Sequence, residues 1–525
     1  MNVTFYGAAR EVTGSCHCLV SGEDHILLDC GMFQGKRKET EMKNRVLPID
    51  PQTITNVVLS HAHIDHSGRL PLLTREGTFH GRIYCTPPTA DACKYLLLDS
   101  AKIQEGDASF LNYRNAKHFL AKVKSRGTEE LTQAQAQEIR SVLKSNDYEV
   151  RDEVVLNLLQ EQHLEVIQPL YSTQDATKSL AYFSGVPFEE PMTVGRDIEA
   201  TFYPAGHILG SAFTVLSRVR DGERINVFYS GDVGRFNKPI INNPTLDFPP
   251  EHRKIDLMIL ESTYGDRFHE PVRDMKEKLR EVVQETWERG GSVIIPAFSY
   301  GRTQELIYFL HELVLEDALP PMPIWVDSPL ATKITRVFGE HPENYDQETH
   351  DIFLEKGINP FEFSQLNFVQ SVQESMELNR DERPHIVIAG SGMCEGGRVL
   401  HHLRHKIHNE RNTVLIVGYM GQGTFGRLLQ EKGEAYEKNG RKGEPPTVRF
   451  YNKEYPLRAH VANLRGFSAH GDRNDLMRLL KDSGLEVKRI AIVHGEEEQS
   501  TAFAKYLNSE GFNTVIPRRG QCLEI

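Results

Sequence analysis

A chain of 525 residues with 39% hydrophobic composition can bury more than one core, which favours two domains over one. No apolar run approaches the roughly 18 residues a bilayer-spanning helix needs, and the start MNVTFYGAAR has no basic stretch leading into an apolar one, so neither membrane anchor nor export signal is expected. The net charge of −12 would weigh against a polyanionic partner, but bound divalent cations would locally outweigh it, so charge leaves the substrate open.

Along the chain, short apolar runs rich in β-branched residues keep ending in polar or glycine-rich loops: ILLDCG (26–31), VVLSHAH (57–63), INVFYSGD (225–232), LMILEST (257–263) and IAIVHGE (490–496). Runs of this length suit strands buried on both faces of a layered α/β fold. Each puts a candidate ligand or catalyst at a strand's C-terminal end, the edge where open α/β sheets bind ligands. The stretch from about 101 to 165 is rich in Gln, Glu, Lys, Leu and Ala and nearly free of Gly and Pro, and predicts a helical insertion without chemistry of its own. From about 267 to 465 a second rhythm, SVIIPAFSYGR, PIWVDSPLA, PHIVIAGSGMCEGGR and TVLIVGYMGQGTFGR, predicts a separate α/β domain with a parallel sheet. The seven cysteines form no CxxC pair, and their odd number argues against a disulfide framework, so a cytoplasmic, reducing compartment is expected.

The densest signal is LSHAHIDHSG (59–68). His61 and His63 alternate on an extended segment and can point the same way, while Asp65 and His66 follow a turn and can present to a second point nearby. Imidazole and carboxylate are good zinc ligands and also serve manganese or iron. There are more ligands here than one ion needs and no cysteine among them, which favours an open, catalytic, dinuclear site over a closed structural one.

HAHIDH resembles the HxHxDH signature of the metallo-β-lactamase superfamily, and the other motifs of that family follow in order: Asp29 in LLDCGMFQG, His207 in PAGHILGSA and Asp232 in YSGDVG. Glu261 in LESTYGD, His470 in GFSAHGD and His494 in VHGE resemble motifs A, B and C of the β-CASP nucleases, in which an α/β domain is inserted between motifs A and B. The resemblance implies an α/β fold: a metallo-β-lactamase αββα sandwich over 1–266 and 466–525, a β-CASP domain over 267–465, and the extra helical insertion near 101–165. It implies two Zn2+, with Mn2+ or Fe2+ as alternatives. His61, His63 and His207 would hold one ion, Asp65, His66 and His494 the other, and Asp232 would bridge them. Asp29 would orient a ligand histidine, Asp65 would orient a hydroxide nucleophile, and Glu261 with His470 would deliver a proton to the departing ribose oxygen.

A histidine at motif C accompanies RNA-cleaving members of that family, so His494 points to RNA, single-stranded by expectation. The implied activity is a metal-dependent ribonuclease, endonucleolytic and leaving 3′-hydroxyl and 5′-phosphate ends. A 5′–3′ exoribonuclease and a non-catalytic RNA-binding subunit are the alternatives, and a homodimer is left open. The chain ends about 30 residues after His494, which suggests the nuclease subunit of the messenger-RNA cleavage and polyadenylation machinery and its short prokaryotic relatives rather than RNase J.

Glycine-rich loops of the second domain suit a phosphodiester backbone, with Ser391, Gly392 and Arg398 at one strand-to-helix turn and Arg302, Ser328, Lys333 and Arg427 beside similar ones. The GxGxxG match at 421–426 lacks the acidic residue a dinucleotide site needs about 20 residues on. His401, His402, His405 and His408 align on a helix, but nothing else in the motif order calls for another ion, so a solvated or RNA-facing helix is expected.

Overall fold

The computed structural model describes residues 1–35, 37–126, 152–220 and 222–525. Two seven-stranded mixed sheets lie face to face. The first runs from Cys522–Glu524 through Asn2–Phe5, His17–Ser21, Asp24–Leu28, Asn56–Val58 and Ile83–Cys85 to Phe183–Gly185. The second runs from Thr514–Val515 through Ile490–Val493, Leu257–Glu261, Glu223–Tyr229, Ala212–Arg220 and Ile198–Pro204 to Pro191–Thr193. The two-residue alternation of strand side chains divides the apolar residues between layers. Val227, Tyr229 and Ile259 join Phe5, Leu28 and Val58 between the sheets, while Phe228, Met258 and Leu260 face outward onto helices Arg473–Asp482 and Glu497–Ser509. Val57, Ile83 and Cys85 face the other way onto helix Pro87–Arg126. This is the αββα order the motifs imply.

Strand direction is what assembles the site. Asp24–Leu28 and Asn56–Val58 are parallel, as are Glu223–Tyr229, Leu257–Glu261 and Ile490–Val493. Ile198–Pro204 runs with them because two antiparallel pairings separate it from Glu223–Tyr229. The segments carrying Asp29, His61, His207, Asp232, Glu261 and His494 therefore all leave their sheets at C-terminal ends. The strand before HAHIDH stops at Val58, and His61 and His63 lie in the irregular segment beyond it.

The inserted domain is a six-stranded, fully parallel sheet in the order Leu366–Phe368, Ile324–Val326, Ile386–Ala389, Val293–Pro296, Thr413–Ile416, His460–Asn463. Its continuous apolar strands are covered on both faces, as expected for parallel sheets. The chain leaves Val293–Pro296 towards one edge and later leaves Ile386–Ala389 towards the other, so the loops after these neighbours frame a switch-point crevice.

The helical segment begins earlier than its composition suggested, within helix Pro87–Arg126. Ala116 of that helix packs on Val155, Leu158 and Leu159 of helix Asp152–Glu161. The remainder of the expected insertion, 127–151, lies outside the described residues. No helix among the described residues is long and apolar enough to cross a membrane.

The domains share one apolar cluster, in which Ile208 and Leu209 meet Tyr300, Leu306 and Phe338. Within it the Tyr300 hydroxyl donates to the Leu209 carbonyl at 2.6 Å. Tyr300→Phe leaves that buried carbonyl without this donor and should cost about 1–3 kcal/mol, read as a lower thermal unfolding midpoint with metal content unchanged.

Candidate metal centre

The loops that present the ligands need close backbone approach. A Cβ on Gly31 would lie 1.6 Å from the Asp65 carbonyl oxygen, and one on Gly234 would lie 1.9 Å from the Gly206 carbonyl, so only glycine lets these turns nest. Asp29 and His494 hold φ of +59° and +51°, uncommon for residues with a Cβ, and their side chains are fixed by the contacts described below.

Two sets of donor atoms converge. In the first, His61 Nε2 lies 3.1 Å from His63 Nδ1, His207 Nε2 lies 3.3 Å from it, and both Nε2 atoms lie 3.4 Å from Asp232 Oδ2. In the second, His66 Nε2 lies 3.1 Å from His494 Nε2 and 3.2 Å from Asp232 Oδ1, and His494 Nε2 lies 3.5 Å from both Asp65 Oδ2 and Asp232 Oδ1. Corners of a tetrahedron with metal–ligand bonds of about 2.0–2.1 Å are about 3.3 Å apart, so each set has the span of one zinc coordination shell. The buried Asp232 Oδ1 has no hydrogen-bond donor. The donor chemistry and the spacing both fit a pair of divalent ions with Asp232 between them.

Hydrogen bonds behind the ligands fix which nitrogen is free. His66 Nδ1 donates to Asp29 Oδ2 at 2.6 Å, and His61 Nδ1 donates to Ser60 Oγ at 3.0 Å, whose own hydroxyl donates to Asp29. Ser60 N–H and the Tyr229 hydroxyl complete the donors around Asp29. The Thr263 hydroxyl donates to the His494 carbonyl and accepts from His494 Nδ1 at 3.1 Å. With Nδ1 of each ring engaged, His66 Nε2 and His494 Nε2 face each other as the nitrogens a cation would take. Burial, reinforced by neighbouring imidazoles, depresses the pKa of His61 and His207 and brings His63 to about 3, leaving the neutral rings that metal binding requires. For His66 burial acts in the same sense, but the Asp232 and Asp29 carboxylates outweigh it and raise the pKa, so a metal must displace a firmly held proton there.

Beside the donors, His470 Nδ1 lies 3.2 Å from both oxygens of the buried Glu261 carboxylate. Burial would lower its pKa, but Glu261, Asp232 and Asp65 hold it up at about 9. Cations next to Asp232 would draw it back towards neutrality. Val233 N–H donates to Glu261 Oε1, tying the carboxylate to the loop that carries Asp232.

Three family models match: the metallo-β-lactamase superfamily over residues 9–85, the Beta-Casp domain over 303–429, and a Zn-dependent metallo-hydrolase RNA specificity domain over 454–517. The chain is 33% identical over 521 residues to a ribonuclease of Thermus thermophilus, covering 99% of each. The chain belongs to the β-CASP family of the metallo-β-lactamase superfamily. Other β-CASP relatives are an RNase J-like protein of Methanocaldococcus jannaschii, 29% identical over 99% of each chain, and transcription termination factor FttA of Methanosarcina mazei, 28% identical over 95% of this chain and 67% of that longer one. A solved structure of an Enterococcus faecalis protein of unknown function shares the fold at a TM-score of 0.50 and 13% identity, covering 99% of each chain.

Within the β-CASP domain, the residues expected at phosphate divide into two groups. Ser328, Ser391, Gly392 and Arg398 gather at the switch-point crevice. Ser328 caps helix Pro329–Glu340 and lies 3.2 Å from Ser299, Ser391 Oγ accepts from Glu395 and Gly396 N–H, and Arg398 pairs with the buried Asp327. Arg427 pairs with Glu431 one turn along its own helix. Arg302 is a correction: it is buried, paired with Glu305 and laid over the Phe467 ring at 5.3 Å, so it holds the domain interface together and is not open to a phosphate. Lys333, on helix Pro329–Glu340, has its ammonium 5.7 Å from the Tyr95 ring of helix Pro87–Arg126. The histidine run also divides. His402 is buried and donates Nε2–H to Asp327 at 2.7 Å, contrary to a wholly solvated face, while His401, His405 and His408 are exposed.

Thr263, Ser60, Tyr229 and Lys238 were not anticipated. Lys238, buried with its pKa lowered to about 8, donates to the His207 carbonyl at 3.4 Å and lies 3.9 Å from Glu305 of the inserted domain. Thr263 and Ser60 were within reach of sequence reading, since each adjoins or nearly adjoins a motif residue. Asp29→Asn removes a charged acceptor of the His66 Nδ1 proton and should lower metal affinity about 10- to 100-fold, measured by competition with a chelator.

Proposed function

We propose that the protein is a metal-dependent ribonuclease that hydrolyses internal phosphodiester bonds of single-stranded RNA in the cytoplasm, with two Zn2+, or Mn2+ or Fe2+ in their place, in the paired donor sets. The observation that carries this reading is the Glu261–His470 pair set against two complete sets of donors. A catalytic centre needs both parts, and a purely RNA-binding subunit needs neither. The relatives' names and the RNA specificity domain support RNA as the substrate. The six buried free cysteines support a reducing compartment.

When bound, a pair of divalent ions supplies a strongly acidified water and charge stabilisation at a phosphoryl oxygen. The remaining steps belong to the chain. Asp65, partly exposed and kept ionised by His494 and His66 against the desolvation around it, accepts a hydrogen bond from the attacking water and aims it. His470, held by Glu261, gives its proton to the ribose 3′-oxygen as the P–O bond breaks. The upstream product carries a 3′-hydroxyl and the downstream product a 5′-phosphate. No 2′-hydroxyl acts as nucleophile.

Exhaustive chelation should abolish cleavage, and Asp232→Ala should lose at least one equivalent of metal by elemental analysis; normal turnover without metal would refute the reading. His470→Ala should keep its metal and lose about 10²- to 10⁴-fold in rate. A 3′-bridging sulfur substrate, whose thiolate leaves unprotonated, should recover much of that loss. RNA labelled at either end separates the modes of attack: internal fragments support endonucleolysis, and mononucleotides released progressively from the 5′ end would establish an exonuclease.

A further inference from the structure

Two half-exposed aromatic rings at the C-terminal edge of the inserted sheet have no part in the chemistry above. Phe298 follows strand Val293–Pro296 and is 42% exposed; Tyr419 follows the neighbouring strand Thr413–Ile416 and is 48% exposed. Both are anchored. The Phe298 ring occupies the space beside Gly392, where a Cβ would come within 2.8 Å of it, which accounts for glycine at that position. The Tyr419 ring is centred 6.5 Å from that of Tyr264, and Tyr264 is 6.1 Å from the His470 ring. Tyr264 is itself held by the His269 ring at 4.5 Å and lies under the Arg267 guanidinium at 5.8 Å. A row of rings therefore runs from the histidine beside Glu261 through Tyr264 outward to Tyr419, and Phe298 stands on the loop after the neighbouring strand, against Gly392.

We propose that Tyr419 and Phe298 form a base-stacking subsite for single-stranded RNA on the leaving-group side of the scissile phosphate. The proposal rests on the ribonuclease reading and extends it to how the substrate is held. Aromatic faces accept any base, because every base has a π-face, and they select unpaired strands, because a duplex keeps its bases inside. Ser299, Ser328 and Arg398 at the same edge suit the intervening backbone. The side follows from His470: if it protonates the departing 3′-oxygen, a base lying against Tyr419 belongs to the nucleotides immediately 5′ of the cut. A second copy of the chain is the rival occupant, but a protein surface seated on a row that begins at His470 would close the centre to its substrate.

The test uses the full-length, metal-loaded protein and an unstructured RNA carrying a single abasic nucleotide, moved one position at a time across the cut. Binding is read by fluorescence anisotropy in the His470→Ala protein, and cleavage in the wild type. An abasic site in the first two positions 5′ of the cut should weaken binding about 5- to 100-fold. Adding Tyr419→Leu should weaken binding of intact RNA to a similar degree and erase the abasic effect, while Tyr419→Phe restores both. In the otherwise wild-type protein, Tyr419→Leu should raise KM and leave kcat unchanged. A flat abasic scan, or one unaltered by Tyr419→Leu, in a protein that cleaves RNA overturns the subsite and leaves the ribonuclease reading standing. Abasic-sensitive binding lost in Tyr419→Leu, without any cleavage by the wild type, upholds base stacking on the ring but overturns its place beside a scissile phosphate together with the ribonuclease reading. A wild-type dimer that Tyr419→Leu converts to monomer assigns the rings to a second copy and overturns the proposal.

Discussion

The Asp232 carboxylate is buried, and each of its oxygens faces a different set of imidazoles. Burial alone would protonate it, yet His494, His66 and His61 hold it well below the usual carboxylate range. Gathering this many polar groups out of water is costly unless each is paired, and the surrounding structure supplies the pairing. Asp29 orients His66 directly and His61 through Ser60, Thr263 orients His494, and Glu261 engages both His470 and the loop after Asp232. Nesting of the turns at Gly31 and Gly234 is the backbone counterpart of the same constraint.

The inserted domain is built into that arrangement. Residues 300–305 reach the centre by several routes. The Tyr300 ring is centred 6.0 Å from that of His63, its hydroxyl holds the Leu209 carbonyl, Glu305 faces Lys238, and Arg302 lies over Phe467 on the segment leading to His470. The same turn opens a helix whose preceding loop carries Phe298. The crevice loops are thus joined by packing and hydrogen bonds to the segments that carry two of the histidine donors and the Glu261–His470 pair.

Much of this could be read from the sequence because each motif is local: a buried strand, then a ligand, then small residues that allow a tight turn. The parallel sheet of the inserted domain was legible for the same reason. What sequence did not disclose depends on how surfaces meet. Arg302 next to a glycine turn resembles a phosphate ligand until Glu305 and Phe467 are seen to enclose it. Helical spacing puts His402 with its neighbouring histidines but cannot say which of them turns inward to Asp327. Tyr300 touches the centre only across the domain boundary, and Lys238, next to His207 within its own domain, pairs across that boundary with Glu305, so spacing within one domain does not reveal either cross-domain contact.

The interruption of the sandwich by the inserted domain also sets an order of assembly. Strand Ile490–Val493 and the edge strands Thr514–Val515 and Cys522–Glu524 close the two sheets only after the whole inserted domain has been made. His61, His63, His207 and Asp232 leave the ribosome long before His470 and His494. Until residue 494 has been made, a nascent chain can therefore complete only the set formed by His61, His63, His207 and Asp232. His494 in the second donor set, and His470 beside Glu261, are thus the last parts of the centre to be made.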